Sequence, residues 1–420
     1  MPFLTSLDEN AYVKGSRDPL GLVPVWSRFG RDVVGNLTTV TSSVRSFTTV
    51  LVALELADIL NEQLRQDAPK TLETFLRFEQ IAGYARVKVN RDRQIRGLLR
   101  VVKRLNEGRR IRISTGQEAQ ILSNQKIYGL WGLFIGAARE SGLVKESRLE
   151  PEPKAFVERQ YLALLGKAGL RRLLDILRRD PYELQPEGRD ADVFNAVAKM
   201  HLPRLRAEER ATYEKHLAWC LPSDPTSGRQ RALSEALANF RCDEFGFKEF
   251  RSVQKAVRRN IELSEALERI AHLENLIAPA ALVFGFLQDR DGQPVKTVEK
   301  QIHDTWSRPL RLNLEGLTAL KSRIAGALQS EAEADLWMRL ARAFTGADYR
   351  QVIELLVGIN TAVMQRRGGA ASWLAIEKNR ILVRLSDEPD ELTSVQEAED
   401  RWRSTYFINS LWSISREVTA

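Results

Sequence analysis

The sequence predicts a mainly α-helical, multi-domain protein with a winged-helix-like module near the N-terminus and one β-hairpin near the C-terminus. Three observations predict this. Apolar residues recur at three- and four-residue spacing over most of the chain, the mark of helices that bury one face. Alternating strand patterns are confined to short stretches near 109–114 and 373–385. Of the 420 residues, 43% are hydrophobic and 28% charged, which supplies two or three cores and does not fit disorder.

Residues 1–30 set Gly15, Pro19, Gly21, Pro24 and Gly30 among Leu20, Leu22, Val23, Trp26 and Phe29, so an ordered irregular segment is expected. A Ser/Thr stretch at 38–49 leads into a helix ending near Leu64, and another helix is expected from Thr71 to about Arg86. Between Asp92 and Leu105, the side chains Ile95, Leu98, Leu99, Val102 and Leu105 fall on one side of a helical wheel. Arg93, Arg96, Arg100, Lys103 and Arg104 fall on the other. Gly108 closes this helix, and the alternation at 109–114 predicts a strand carrying Arg109, Arg110 and Arg112.

A helix at 117–123, a turn near Asn124, a helix at 126–140 and a polar turn at 145–148 follow in the order of a recognition helix and wing. A winged-helix-like module is therefore expected over about 92–158. Its candidate recognition helix, with Leu130, Trp131, Leu133, Phe134 and Ile135, is apolar on nearly every face, which favours burial over a place in a groove. Helices with a polar break at 181–190 are expected over 155–219, and Pro222, Ser223, Asp224, Pro225, Thr226, Ser227 and Gly228 read as a linker. Beyond it lie helices at 315–329, 331–344 and 349–365, then a hairpin around the polar turn 377–380. The resulting domains are 1–158, 159–225 and 226–420.

Charge is the strongest functional signal. Residues 86–112 hold eleven Lys and Arg against Asp92 and Glu107, a local +9 in a chain whose total is +8, so the remainder sums to −1. Nine of the eleven are arginines, whose planar fork suits bidentate contact with phosphate. A solvated face that only confers solubility is the plain alternative, and the near absence of acids weighs against it. A second basic stripe, Lys248, Arg251, Lys255, Arg258 and Arg259, is mixed with Glu249, Glu262 and Glu265 and reads as an ordinary amphipathic helix.

Signals for catalysis are weak. His201, His216, His272 and His303 are far apart, and His216 with Cys220 makes two ligands without partners, so no metal site and no cofactor are expected. Gly166, Lys167 and Ala168 fail as a phosphate loop because Tyr161 replaces the first glycine and Ala168 cannot ligand magnesium. Asp289 and Asp291, a nuclease-like pair, precede Gly292 and read as a surface turn. The tryptophans sit among apolar neighbours, which leaves Tyr84 and Tyr128, on either side of the basic run, to stack on bases. Two cysteines fit a reducing cytoplasm. No signal sequence is visible, and neither apolar stretch, 50–60 or 276–287, reaches the about 20 residues a membrane helix needs.

Three stretches carry a resemblance: 18–47 with Trp26, Gly30 and the Ser/Thr run, 124–144 with Trp131 and Gly142, and 402–414 with Tyr406 and Phe407. In these patterns of hydrophobic and small residues the chain resembles uncharacterised helical proteins encoded in prokaryotic antiviral defence or DNA-modification gene clusters. The resemblance implies an accessory subunit of a multi-protein system and assigns no active-site residue. The function expected is non-enzymatic binding of nucleic acid, DNA before RNA, through Arg93, Arg96, Arg100, Lys103, Arg104, Arg109, Arg110 and Arg112, in company with other protein subunits. A scaffold docking an acidic partner, or a metal-dependent nuclease with a site built from distant residues, is the alternative.

Overall fold

The computed structural model describes residues 18–64, 70–369, 371–387 and 389–420. It is mainly helical, and among the described residues strands occur only as three two-stranded antiparallel pairs. The chain divides into two compact units, each assembled from two stretches of sequence. Unit one is Met1–Val33 with Arg241–Tyr406, and unit two is Val34–Phe240 with Phe407–Ala420. The breaks expected near 158 and 225 fall inside unit two.

Unit one is built around Ile261–Leu287, a helix started by Asn260, whose Oδ1 accepts the Leu263 amide at 3.1 Å. Between Leu276 and Leu287 every residue is buried, Pro279 included. The apolar stretch at 276–287 is thus the second half of a longer helix, because Leu263, Leu267, Ile270 and Leu273 continue the buried stripe beneath polar residues. By length and composition this helix could cross a membrane, contrary to the sequence expectation, but 89% of its most apolar window is buried in the protein. A helix apolar all round belongs at the centre of a core. Leu22–Gly30, Leu314–Leu328, Tyr349–Arg366 and Val395–Glu399 pack around it.

Leu22–Gly30 replaces the irregular chain expected there. The Asp18 carboxylate accepts the Leu22 and Val23 amides at 2.7 and 3.0 Å, and Pro24 lies in the first turn, where no amide is needed. What was expected of residues 1–17 lies outside the described residues. Glu274, fully buried, accepts the amides of Arg403 and Ser404 and the Tyr406 hydroxyl at 2.5, 2.9 and 2.8 Å; burial nevertheless pushes its pKa up to about 7. The hairpin Leu374–Glu377 with Arg380–Val383 forms where expected, its turn made by Lys378 and Asn379 at positive φ.

Unit two is organised by Val44–Leu64. Its apolar residues from Val44 to Ala57, and Leu60, are buried, and so are its polar residues Arg45, Ser46, Thr48, Thr49 and Glu55. Buried polar groups need partners. Arg45 Nη1 lies 2.6 Å from Glu209 Oε1 and its guanidinium also donates to the carbonyls of Met200 and Arg204. Thr49 Oγ1 lies 3.0 Å from His201 Nε2, and Thr48 Oγ1 lies 2.8 Å from the Tyr213 hydroxyl. Thr71–Lys88, Leu130–Glu140 and Pro151–Gln160 pack against this helix, and Ile408–Thr419 closes the unit, with Glu417 accepting the Val44 amide and Ser415 within 2.8 Å of Ser234.

Three local expectations change here. Residues 222–228 are an ordered turn, since Asp224 accepts the amide and hydroxyl of the buried Thr226 at 2.8 and 2.6 Å. Residues 117–123 form turns and no helix. A ribbon does form from Val144–Lys145 and Arg148–Leu149, yet Ile111–Ile113 pairs with Tyr182–Leu184, inside the expected polar break, so a winged-helix module is not confirmed.

Burial works against the Glu209 charge, but hydrogen bonds from Arg206 and Arg45 overcome it and hold the carboxyl at about 2. Its stabilising contribution is therefore complete above the unfolded value near 4.5 and is lost as pH falls through about 2. Glu209→Gln, which leaves Arg45 buried and unpaired, should destabilise by about 3–5 kcal/mol at neutral pH. Thermal melts of both proteins should converge as pH falls toward 2, and a gap that stays constant over that range would rule out this account.

Candidate nucleic-acid interface

The basic segment is mounted on Thr71–Lys88, a helix buried on nearly every side from Thr74 to Arg86. Its polar side chains hold the segments that follow. Glu79 accepts the Leu130 amide and Gln125 Nε2 at 2.8 and 2.9 Å, and burial pushes its pKa up to about 7. Gln80 exchanges hydrogen bonds with the backbone of Ser114. Arg86, itself buried, binds Asp92 through Nε and Nη2 at 2.9 and 2.8 Å. Asn90 Nδ2 donates to the carbonyls of Ala198 and His201, which fixes the turn where the basic loop leaves the helix.

The arginine-bearing helix is Leu98–Glu107, six residues shorter at its start than expected. Gly97 precedes it at φ 78°, and a Cβ there would lie 2.4 Å from the Ile121 carbonyl oxygen, so the chain turns at a position only glycine can fill. Arg93 and Arg96 accordingly sit on the preceding loop. The wheel also turns: Val101 is fully buried, Leu98, Val102 and Leu105 are half-buried, and Leu99 is 87% exposed.

Arg104 faces inward with Val101. Its Nη1 donates to the Tyr84 hydroxyl at 3.2 Å and the Ala119 carbonyl at 2.5 Å, and its Nη2 donates to the Glu118 carbonyl. Tyr84 is buried and therefore offers no stacking face. Lys88 is also engaged, 2.7 Å from Glu187. Lys103 and Arg112 are exposed and reach Glu107 and Glu118 only at 3.8 and 3.6 Å. Arg112 has Glu183 as its cross-strand neighbour, so acids border the strand end of the ridge.

The remaining cations, Arg91, Arg93, Arg96, Arg100, Arg109 and Arg110, are exposed and form no ion pair among the described residues. Arg96 Nε donates to the Tyr128 carbonyl at 2.9 Å and Arg100 Nη1 to the Gln120 carbonyl at 3.5 Å; each keeps further N–H donors directed elsewhere. Tyr128 ends the short helix Gln125–Tyr128 and is 53% exposed. Gly129 separates this helix from Leu130–Glu140, in which Leu130, Phe134, Ile135, Ala137 and Ala138 are buried as the apolar pattern predicts.

Other candidates dissolve into structure. His216 is buried with Nδ1 at 2.9 Å from the Ser141 carbonyl, Asp289 pairs with Arg290, and Asp291 accepts the Val383 amide. Gly166 begins a helix at φ 62°. An open cavity of about 910 Å³ is lined by Leu202, Arg204, Arg206, Arg210 and Glu214, but Arg206 is held by Glu209 and the Gln160 carbonyl. Among the described residues no group of three or more His, Cys, Asp or Glu gathers as metal ligands would. No known protein family, curated protein or solved structure matches the chain.

The split between engaged and free arginines is measurable. Arg104→Ala strands two carbonyls and a buried hydroxyl and should destabilise by about 1–3 kcal/mol in urea unfolding. Arg93→Ala should stay within about 0.5 kcal/mol of the parent; equal effects at both positions would contradict the assignment.

Proposed function

We propose that this protein binds nucleic acid by its phosphates, DNA before RNA, as a non-enzymatic subunit of a multi-protein assembly of the antiviral defence kind that the resemblance implies. The contacts are made by Arg93, Arg96, Arg100, Arg109 and Arg110, with Lys103 and Arg112 at the margins. Arg104 is left out because its donors are turned to the chain itself. Chemistry on the nucleic acid belongs to partner subunits.

One observation carries the reading: within a window of net +9, six arginines are exposed and form no ion pair among the described residues. Exposed guanidinium groups packed this closely repel one another, and a polyanion relieves that repulsion while releasing its own counterions. The reading does not need a winged helix. Its contacts come from a loop, one helix face and residues Arg109 and Arg110, which precede the strand Ile111–Ile113, and they read backbone and not sequence.

Fluorescence anisotropy with labelled DNA and RNA oligonucleotides provides the test. About five phosphate contacts predict a log–log salt slope near −4.5, or about 500-fold weaker binding between roughly 50 and 200 mM salt. Reversing Arg93, Arg100 and Arg110 to Glu should reduce the slope by about 3 in a variant that melts like the parent. Unchanged binding in that variant, or retention on an acidic protein that survives nuclease treatment, would replace this reading with the scaffold.

A further inference from the structure

Leu99 has no packing role that explains it. On Leu98–Glu107 the inward side is set by Gly97, Val101 and Arg104, which touch the Ile121 backbone, the core and the 118–119 carbonyls. Leu99 lies about 200° from Val101 on the wheel and so points to solvent, with Lys103 one turn further along the same face and Arg100 beside it. Its 87% exposure is the highest of the large hydrophobic side chains among the described residues. The Arg96 side chain, three residues before Leu99, donates to the Tyr128 carbonyl, so the end of the helix Gln125–Tyr128 lies within one arginine side chain of the loop that leads into Leu98–Glu107. Tyr128 and its neighbour Ile127 are each 53% exposed, and Lys126 beside them is exposed as well. Leucine, isoleucine and a tyrosine ring thus stand among exposed guanidinium and ammonium groups.

A partner for this surface must offer negative charge and accessible apolar faces at alternating positions. Duplex nucleic acid offers the first and hides the second inside its stack. A single strand presents both, one phosphate and one unstacked base per nucleotide. Resting on the nucleic-acid reading above, we infer that the ridge takes single-stranded nucleic acid, with bases lying against Tyr128 and Leu99 while Arg93, Arg96, Arg100 and Lys103 hold the phosphates.

The test uses the full chain with three probes: a single-stranded oligonucleotide, the same sequence as a blunt duplex, and inorganic polyphosphate, which has charge and no bases. The parent should prefer the single strand. Leu99→Ala with Tyr128→Ala should lose on the order of ten-fold or more for the single strand, keep the salt slope, and leave polyphosphate binding unchanged. Tyr128→Phe, which keeps the ring, should bind as the parent does. Both leucine and tyrosine are exposed, so melting temperatures should not move. Equal affinity for single strand and duplex, or a double variant that binds the single strand like the parent, overturns this inference and leaves the phosphate-binding reading standing. If no probe binds at low salt, the broader reading has failed and this one falls with it.

Discussion

A guanidinium buried near the start of Val44–Leu64 obliges the rest of unit two to be arranged around it. Arg45 is only 6% exposed, and a charge in that position is tolerable only with a carboxylate and carbonyls in contact. Glu209 and the carbonyls of Met200 and Arg204 provide them, which fixes the 200–209 segment against the central helix. His201 in the same segment is pushed down to about 3 by burial and by the nearby Arg86 and Arg45, so it stays neutral and adds no third charge. Its carbonyl receives Asn90, and Asn90 sets where the basic loop begins. The interior ion pair and the outer ridge are linked through consecutive hydrogen bonds of this kind.

That linkage sorts the cations of 86–112 into two groups. Those that meet the core are engaged there, Arg86 by the Asp92 carboxylate and Arg104 by hydrogen bonds to backbone carbonyls. The rest have no interior position to occupy. Loop 91–96, the outer face of Leu98–Glu107 and residues 109–110 carry them at the surface, where solvent screens their mutual repulsion. The exposed charge available to a partner is therefore smaller than the composition of the window implies, and more localised.

Much of this was legible in the sequence. The helices near 44–64, 71–88 and 349–366 and the hairpin Leu374–Val383 followed from periodicity and turn residues, which are local signals. The burial of Leu130, Phe134, Ile135, Ala137 and Ala138 followed from the apolar pattern of their helix, although Trp131 and Leu133 are only half-buried. What failed was decided by distant residues. The helix start moved from Asp92 to Leu98 because Gly97 meets the backbone of Ile121, and Arg104 changed sides because unsatisfied carbonyls at 118 and 119 lie within its reach. The strand at Ile111–Ile113 was expected, but its partner Tyr182–Leu184, across about seventy residues, is a pairing that no short pattern announces. In the candidate site the charge cluster was visible; the exposure of Leu99 was not, since a leucine at helical spacing reads as core until the register is known.

The interleaving of the two units gives translation a schedule. Residues 34–240 leave the ribosome well before Ile408–Thr419, the helix that supplies Glu417 and Ser415 to their core, and all of 241–406 is made in between. Unit two stays incomplete while residues 241–406 are synthesised, and during that interval the hydrophobic surface that receives Ile408–Thr419 is open to chaperones or to premature association.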